Sequence, residues 1–156
     1  IEFSIKESFD DILEIISKQL FYCNIDLSIN YQKDVDDFFI FGYKNEFKQV
    51  LLNLLNNAKN KITELNIKDK NKITINVYKN SSSNIIEIID NAGEIDENII
   101  HSIFDPYFTT KEEGTGIGLY MAKVIIEDKM QGQIYVRNDE TNVIFTIKMP
   151  INKGDL

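Results

Sequence analysis

The 156-residue chain has one cysteine, one histidine, two prolines and no tryptophan. Cys23 has no partner for a disulfide, and one Cys with one His cannot close a zinc site. A buried or idle thiol is therefore expected at Cys23, in a fold held without covalent or metal staples. No apolar run approaches the roughly 18 residues needed to span a bilayer. Ile1-Glu2-Phe3 also lacks the basic start and apolar stretch of a secretion signal. The expected location is cytoplasmic, without direct membrane contact. An initiating Met is missing as well, which suggests a piece of a longer protein whose upstream part holds a sensor or a membrane anchor. Positive charge is scarce: 17 Lys and Arg against 25 Asp and Glu give a formal net charge of -8. Such a surface repels nucleic acid phosphates, and no nucleic-acid partner is expected. The basic cluster from Lys68 to Lys72 is interrupted by Asp69 and reads as a solvated linker.

What is present is enough apolar material for one substantial core and one domain, taken here as residues 1–156. Phe3 to Lys6 reads as a short extended segment. Ser8 then stands as a helix cap before Phe9, Ile12, Leu13, Ile16 and Leu20, which recur at helical spacing. Short strands are expected near Ile25 to Tyr31 and Phe38 to Phe41. From about Asn45 a long helix is written by Phe47, Val50, Leu51, Leu54, Leu55, Ala58, Ile62 and Leu65 along one stripe. Ile73, Ile75 and Val77 alternate with polar neighbours, and Ile85 to Ile89 follows a serine turn, which predicts an antiparallel hairpin. Asp96 is placed to cap a short helix through Ile103, stopped by Pro106. The glycines from Gly114 to Gly118 open another helix reaching about Met130. Gln133 to Arg137 and Val143 to Met149 form a second hairpin. Helices interleaved with hairpins predict an α+β fold, a two-layer α/β sandwich with a mixed, mostly antiparallel sheet packed on about three helices.

The polar residues fall into an order of their own. Gln49, Asn53, Asn57 and Lys61 recur every four residues on the face of the long helix opposite its stripe. Amide oxygens are hard, neutral ligands suited to Mg²⁺, which keeps waters and is usually shared with substrate phosphates. Alone, such a row also describes a wetted helix surface. Asp90-Asn91-Ala92-Gly93 follows a strand apolar on both faces, so a carboxylate arrives at the end of a buried sheet. It can accept from the exocyclic amine of adenine, whereas guanine presents a carbonyl there; a plain turn is the alternative. Gly114-Thr115-Gly116-Ile117-Gly118-Leu119 lets backbone amides approach phosphates ahead of a helix N-terminus. No Gly-Lys-Ser or Gly-Lys-Thr follows, and no strand leads into it, so it is neither a Walker loop nor a Rossmann turn. Between these, Phe104 to Lys111 combines aromatic anchors with Thr109, Thr110 and a cation, Lys111, able to reach a terminal phosphate. It is a plausible lid.

Together these segments resemble, in order, the asparagine, first glycine, phenylalanine and second glycine boxes of sensor histidine protein kinases. The resemblance is to their catalytic and ATP-binding domain, within the ATPase superfamily shared with type II topoisomerases and mismatch-repair proteins. It implies ATP and Mg²⁺ as cofactors, with Asn57 on the metal, Asn53 beside the phosphates, and Asp90 reading adenine. Gly93, Ile95, Phe104, Thr110, Lys111, Gly114, Thr115, Gly116, Ile117, Gly118 and Leu119 are the other implied nucleotide contacts. Lys61 stands one position beyond the basic residue that many long-lid relatives carry where this chain has Asn60. Thr146 lies in a segment similar to the family's last strand, where a threonine can approach adenine; by alternation it also fits ordinary packing. The few residues between the last two boxes resemble the short-lid, nitrogen-regulator and dicarboxylate-sensor type. One departure is Glu94, at a position usually glycine: if that position needs positive φ, strain and charge there would weaken ATP binding.

The family's phosphoacceptor histidine sits on a helical hairpin upstream of a strand that Phe3-Ser4-Ile5-Lys6 resembles. His101 is followed by Ser102, not by the acidic residue of the phosphoacceptor motif, and is expected to be a partly buried structural histidine. The expected function is therefore to bind Mg-ATP and donate its γ-phosphoryl group to a histidine on a dimerisation domain of the same protein. A response regulator receiver domain would act downstream and the parent would be a homodimer. The isolated chain should not autophosphorylate. The alternatives are a degenerate nucleotide-binding or partner-docking module, and a serine kinase of the same superfamily.

Overall fold

The computed structural model describes residues 1–66, 71–108 and 118–151. The chain opens with strand β1 (Glu2–Ser4), and helix α1 (Ile5–Tyr22) follows at once. The cap is Ser4, not Ser8: Ser4 has extended backbone and its Oγ accepts the Glu7 N–H at 3.0 Å. Ser8 instead lies fully buried in the first turn, where its hydroxyl donates to the Ser4 carbonyl at 2.8 Å. A serine inside a helix can bond back to a carbonyl four residues earlier, so the residue type alone did not separate the two positions. Ile5, Phe9, Ile12, Ile16 and Leu20 form the buried stripe.

Strand β2 (Asp26–Tyr31), strand β3 (Phe39–Phe41) and helix α2 (Lys44–Leu65) come next. The buried side of α2 holds Phe47, Val50, Leu51, Leu54, Leu55, Ala58 and Ile62. Leu65, expected to continue the stripe, is 47% exposed, because the helix ends at Asn66 in a left-handed turn. Strands β4 (Lys72–Lys79) and β5 (Ser83–Asp90) form the first hairpin. Of the linker expected from Lys68 to Lys72, residues 68–70 lie outside the described ones, and Lys72 already opens β4.

Asp96 does not start a helix. Its carboxylate accepts the Asn98 N–H at 2.8 Å in a local turn, and only Ile100–Ser102 make a 3₁₀ turn. Asp side chains compete with the helical backbone in this way. Helix α3 (Gly118–Lys123) passes into a π-helical turn at Val124–Lys129 and ends at Met130, about where the helix after the glycines is expected to end. The wider turn leaves Ile125, Ile126 and Met130 all buried. Gly132 then passes so close to the sheet that an added Cβ would stand 2.7 Å from the Lys148 carbonyl oxygen, and its N–H donates to Ile126 O at 2.8 Å. The second hairpin is β6 (Gln133–Asp139) and β7 (Asn142–Pro150).

The sheet order is β2-β4-β5-β7-β6, parallel only between β2 and β4, and it packs on the three helices as the sandwich expected from the sequence. β1 and β3 form a separate antiparallel pair, tied on by Asn84, whose Nδ2 donates to Phe39 O at 2.9 Å. One contiguous apolar cluster links α1, α2, α3 and the sheet. Cys23 is half-buried at its edge. Among the described residues no helix is long and apolar enough to cross a membrane.

Candidate functional site

β5 is the middle strand of the sheet, so its last residue reaches the end of the core rather than open solvent. Asp90 is 3% exposed there. Its Oδ1 accepts two donors, the Ala92 N–H at 3.2 Å and Lys61 Nζ at 3.1 Å. Burial pushes the Asp90 carboxyl above its ordinary range, and the Lys61 ammonium and the Ala92 N–H pull it part of the way back. The chain then turns through Gly93, at φ +112, a conformation that glycine adopts without strain. A Cβ at Gly93 would meet nothing within 4 Å, so it is the backbone angle, not crowding, that asks for glycine.

Glu94 has no positive φ, and its side chain is exposed. The strain considered for this position is absent, because Gly93 alone makes the turn. Ile95, half-buried on the core, is held from an unexpected side. Asn138 of β6 accepts the Ile95 N–H at 2.9 Å and donates to Ile95 O at 2.8 Å, with a second donation to Glu97 at 3.0 Å. This amide bonds the turn as a neighbouring strand would. Its only sequence signal is an Asn at the end of a strand, which usually marks a turn.

The polar row of α2 faces the same region. Lys61 crosses from α2 to the end of β5, and Asn57, one turn earlier, is half-buried on the same row. Gln49 donates to Asn53 Oδ1 at 2.9 Å, which orients the Asn53 amide so that its Nδ2 points to Gly118 O at 3.4 Å. Asn53 thereby touches the start of α3. Leu119 turns inward on the core. Thus α2, the end of β5 and the start of α3 meet, joining the asparagine box to both glycine boxes.

Phe104 is half-buried, edge-on to Phe145 at 6.1 Å, with Lys123 Nζ 5.5 Å from its ring centroid. Phe108 also packs on the core, so both rings anchor the segment as their apolar character suggests. Thr109, Thr110, Lys111, Gly114, Thr115, Gly116 and Ile117 lie outside the described residues, and with them the expected short lid.

Two expectations change. Thr146 is buried but pairs with Glu87 and Tyr135, whereas Asp90 pairs with Val143. Paired residues share a face and neighbours alternate, so Thr146 lies on the face of the sheet away from Asp90. His101 is exposed, not partly buried: the 3₁₀ turn points Ile100 inward and His101 out.

The donor set suits Mg²⁺ shared with phosphate. Among the described residues no group of three or more His, Cys, Asp or Glu gathers into a cage, while α2 offers the half-buried amide of Asn57, one turn after the Asn53 that reaches the start of α3. An ion that keeps its waters and takes phosphate oxygens needs few protein ligands.

Known proteins are similar to this chain in sequence and in fold. Sporulation kinase A of Bacillus subtilis is 30% identical over 148 residues, 94% of this chain and 23% of that protein. The signal transduction histidine-protein kinase AtoS of Escherichia coli is 42% identical over 107 residues, 67% of this chain and 17% of that protein. The chain thus spans less than a quarter of either relative. The nucleotide-free catalytic domain of histidine kinase ThkA superposes with a TM-score of 0.82 at 29% identity, covering 97% of this chain and 95% of that one. ThkA in complex with the response regulator TrrA gives 0.79 at 26% identity, covering all of this chain and 43% of that one. Residues 42–153, which run from the turn before α2 to beyond β7, match the family described as histidine kinase-, DNA gyrase B-, and HSP90-like ATPase. The fold, the meeting of three motif-bearing elements and these relatives agree: the chain belongs to that family, as a histidine kinase ATPase domain of the two-component signalling type.

Proposed function

We propose that the chain binds Mg-ATP where α2, the end of β5 and the start of α3 meet, and supplies the γ-phosphoryl group for transfer to a histidine on a dimerisation domain of its parent protein. The observation that carries this reading is the contact of α2 with both glycine boxes, through Lys61 to Asp90 and through Asn53 to Gly118. In this reading Asp90 accepts from the exocyclic amine of adenine, and the open backbone at Gly93 lets the base approach. Ile95 and Phe104 supply apolar walls. The resemblance implies Asn53 and the backbone amides of Gly114 to Gly118 beside the phosphates, and Thr110 and Lys111 at the terminal phosphate. Asn57 holds Mg²⁺, which would neutralise phosphate charge as the γ-phosphoryl group leaves. The protein's own work is positioning: a fixed acceptor for the base at one end and fixed amides for the phosphates at the other.

The acceptor histidine belongs to another domain. His101 stands exposed on a short 3₁₀ turn with Ser102 after it, so it lacks the acidic neighbour of a phosphoacceptor. A response regulator would receive the phosphoryl group downstream, in a homodimeric parent working in the cytoplasm.

Calorimetric titration with ATP, in Mg²⁺ and in EDTA, tests the reading. Binding that depends on Mg²⁺ and is lost in Asp90→Asn is the expected result. Label from γ-³²P ATP should appear only when helices carrying a phosphoacceptor histidine are added. Absence of Mg-ATP binding by the parent chain removes the kinase reading, and label on His101 of the chain alone overturns the assignment of the acceptor.

A further inference from the structure

The ion pair between Lys61 and Asp90 is unusual for its place. Asp90 is 3% exposed and Lys61 is 22% exposed, with Nζ 3.1 Å from Oδ1. Both described hydrogen bonds to the carboxylate, from Lys61 and from the Ala92 N–H, fall on Oδ1. Among the described residues no donor reaches Oδ2. A carboxylate with one oxygen doubly bonded to fixed donors has a fixed plane and a free acceptor on the other. The donors come from two elements, α2 and the turn after β5, so the plane is held against rotation from both sides.

Resting on the proposed nucleotide reading, we infer that Lys61 is a specificity-determining positioning residue: it holds Asp90 as an acceptor-only group, with Oδ2 presented to the base. An acceptor welcomes the exocyclic amine of adenine and repels the carbonyl that guanine places there. Without Lys61 a carboxyl this deeply buried has a route to guanine, since the protonated acid donates to a carbonyl and still accepts through its other oxygen. Burial already favours the protonated form of Asp90, and Lys61 is among the groups opposing it. Asn57 and Asn53, earlier on the same helix row, face the phosphate end in the proposed reading. The row thus sets the base at one end and the phosphates at the other.

The test is the ratio of affinities for Mg-ATP and Mg-GTP, measured by calorimetry on the 156-residue chain and on Lys61→Met, Lys61→Gln, Lys61→Arg and Asp90→Asn, each checked for folding by circular dichroism. The ATP preference should fall by about tenfold or more in both Met and Gln variants, and Arg should restore most of it. A loss confined to overall stability would weaken both nucleotides alike and leave the ratio unchanged. If the ratio holds in Met and Gln while Asp90→Asn abolishes ATP binding, the role of Lys61 is wrong and the site stands. Tighter ATP binding in Lys61→Met shows that Lys61 competes with the base, which also overturns the inference. No ATP binding by the parent chain removes both. Of the Met and Gln variants, either one that folds decides the matter.

Discussion

α1 and α2 are built by the same rule and put to different uses. Each buries an apolar stripe in a shared core. The outer side of α1 makes surface contacts, among them Glu7 with Lys44 at 2.8 Å and Asp11 with Lys48 at 3.3 Å. Such pairs are screened and contribute little. The outer side of α2 meets a buried carboxylate through Lys61 and the start of another helix through Asn53. The ends differ too. Ser4 caps α1 with its side chain, whereas Tyr43 at the start of α2 makes no side-chain cap bond. The lesson is that amphipathic spacing locates a helix, and what its polar face touches decides whether that helix is scaffold or site.

The comparison can be broken most strongly from the scaffold side. Phe9 is fully buried on α1, so Phe9→Ala should lower unfolding free energy by about 3–5 kcal/mol. Chemical denaturation would show this, while ATP affinity of the folded fraction should stay unchanged. A parallel loss of affinity would mean that α1 takes part in the site. Next in size, Asn57→Ala should weaken Mg-dependent ATP binding by about tenfold or more, near 1.4 kcal/mol. Its melting temperature should hardly move, because Asn57 is on the polar row; a large drop would make that row structural. Ser4→Ala removes a cap bond and should cost about 1 kcal/mol with no effect on nucleotide affinity.

The smallest effect is a pH dependence at the end of β5. Burial raises Asp90 above its ordinary value of 3.8, so the folded chain holds that proton more tightly than the unfolded one. Its contribution to stability is thus greatest at low pH and is lost as pH rises from 3.8 through the raised native value. The melting temperature of Asp90→Asn, minus that of the parent, should increase over that interval and level off above it. ATP binding should strengthen over the same interval as the carboxylate forms. A carboxylate that is carried for a ligand costs stability where a scaffold residue adds it.

The order of the four boxes came from the resemblance, whereas sequence spacing located both long helices and both hairpins. It could do so because a stripe every three to four residues and alternation every second residue are local consequences of backbone geometry. Choices between chemically similar neighbours were not local. Ser4 and Ser8 are equally good caps on paper, and only the β1 and β3 pairing, which holds Ser4 extended against Phe39, selects the first. Thr146 could face either way until the register with Glu87 fixed its side. Asp96 chose a local turn over a helix, and Glu94 escaped strain because Gly93 absorbed the positive φ.

The residues of the candidate site were thus legible as types in an order, since chemistry limits which side chains can meet phosphate and base. Their partners were not. Lys61 lies 29 positions from Asp90, and Asn138 lies 43 from Ile95. No periodicity links such pairs; packing α2 and β6 around the end of β5 does. The sequence determined which groups are available to hold a nucleotide. Tertiary structure decided that Lys61 sits on Asp90 and that Asn138 ties the turn, because a buried charge and an unpaired backbone turn must find partners wherever the fold brings them near.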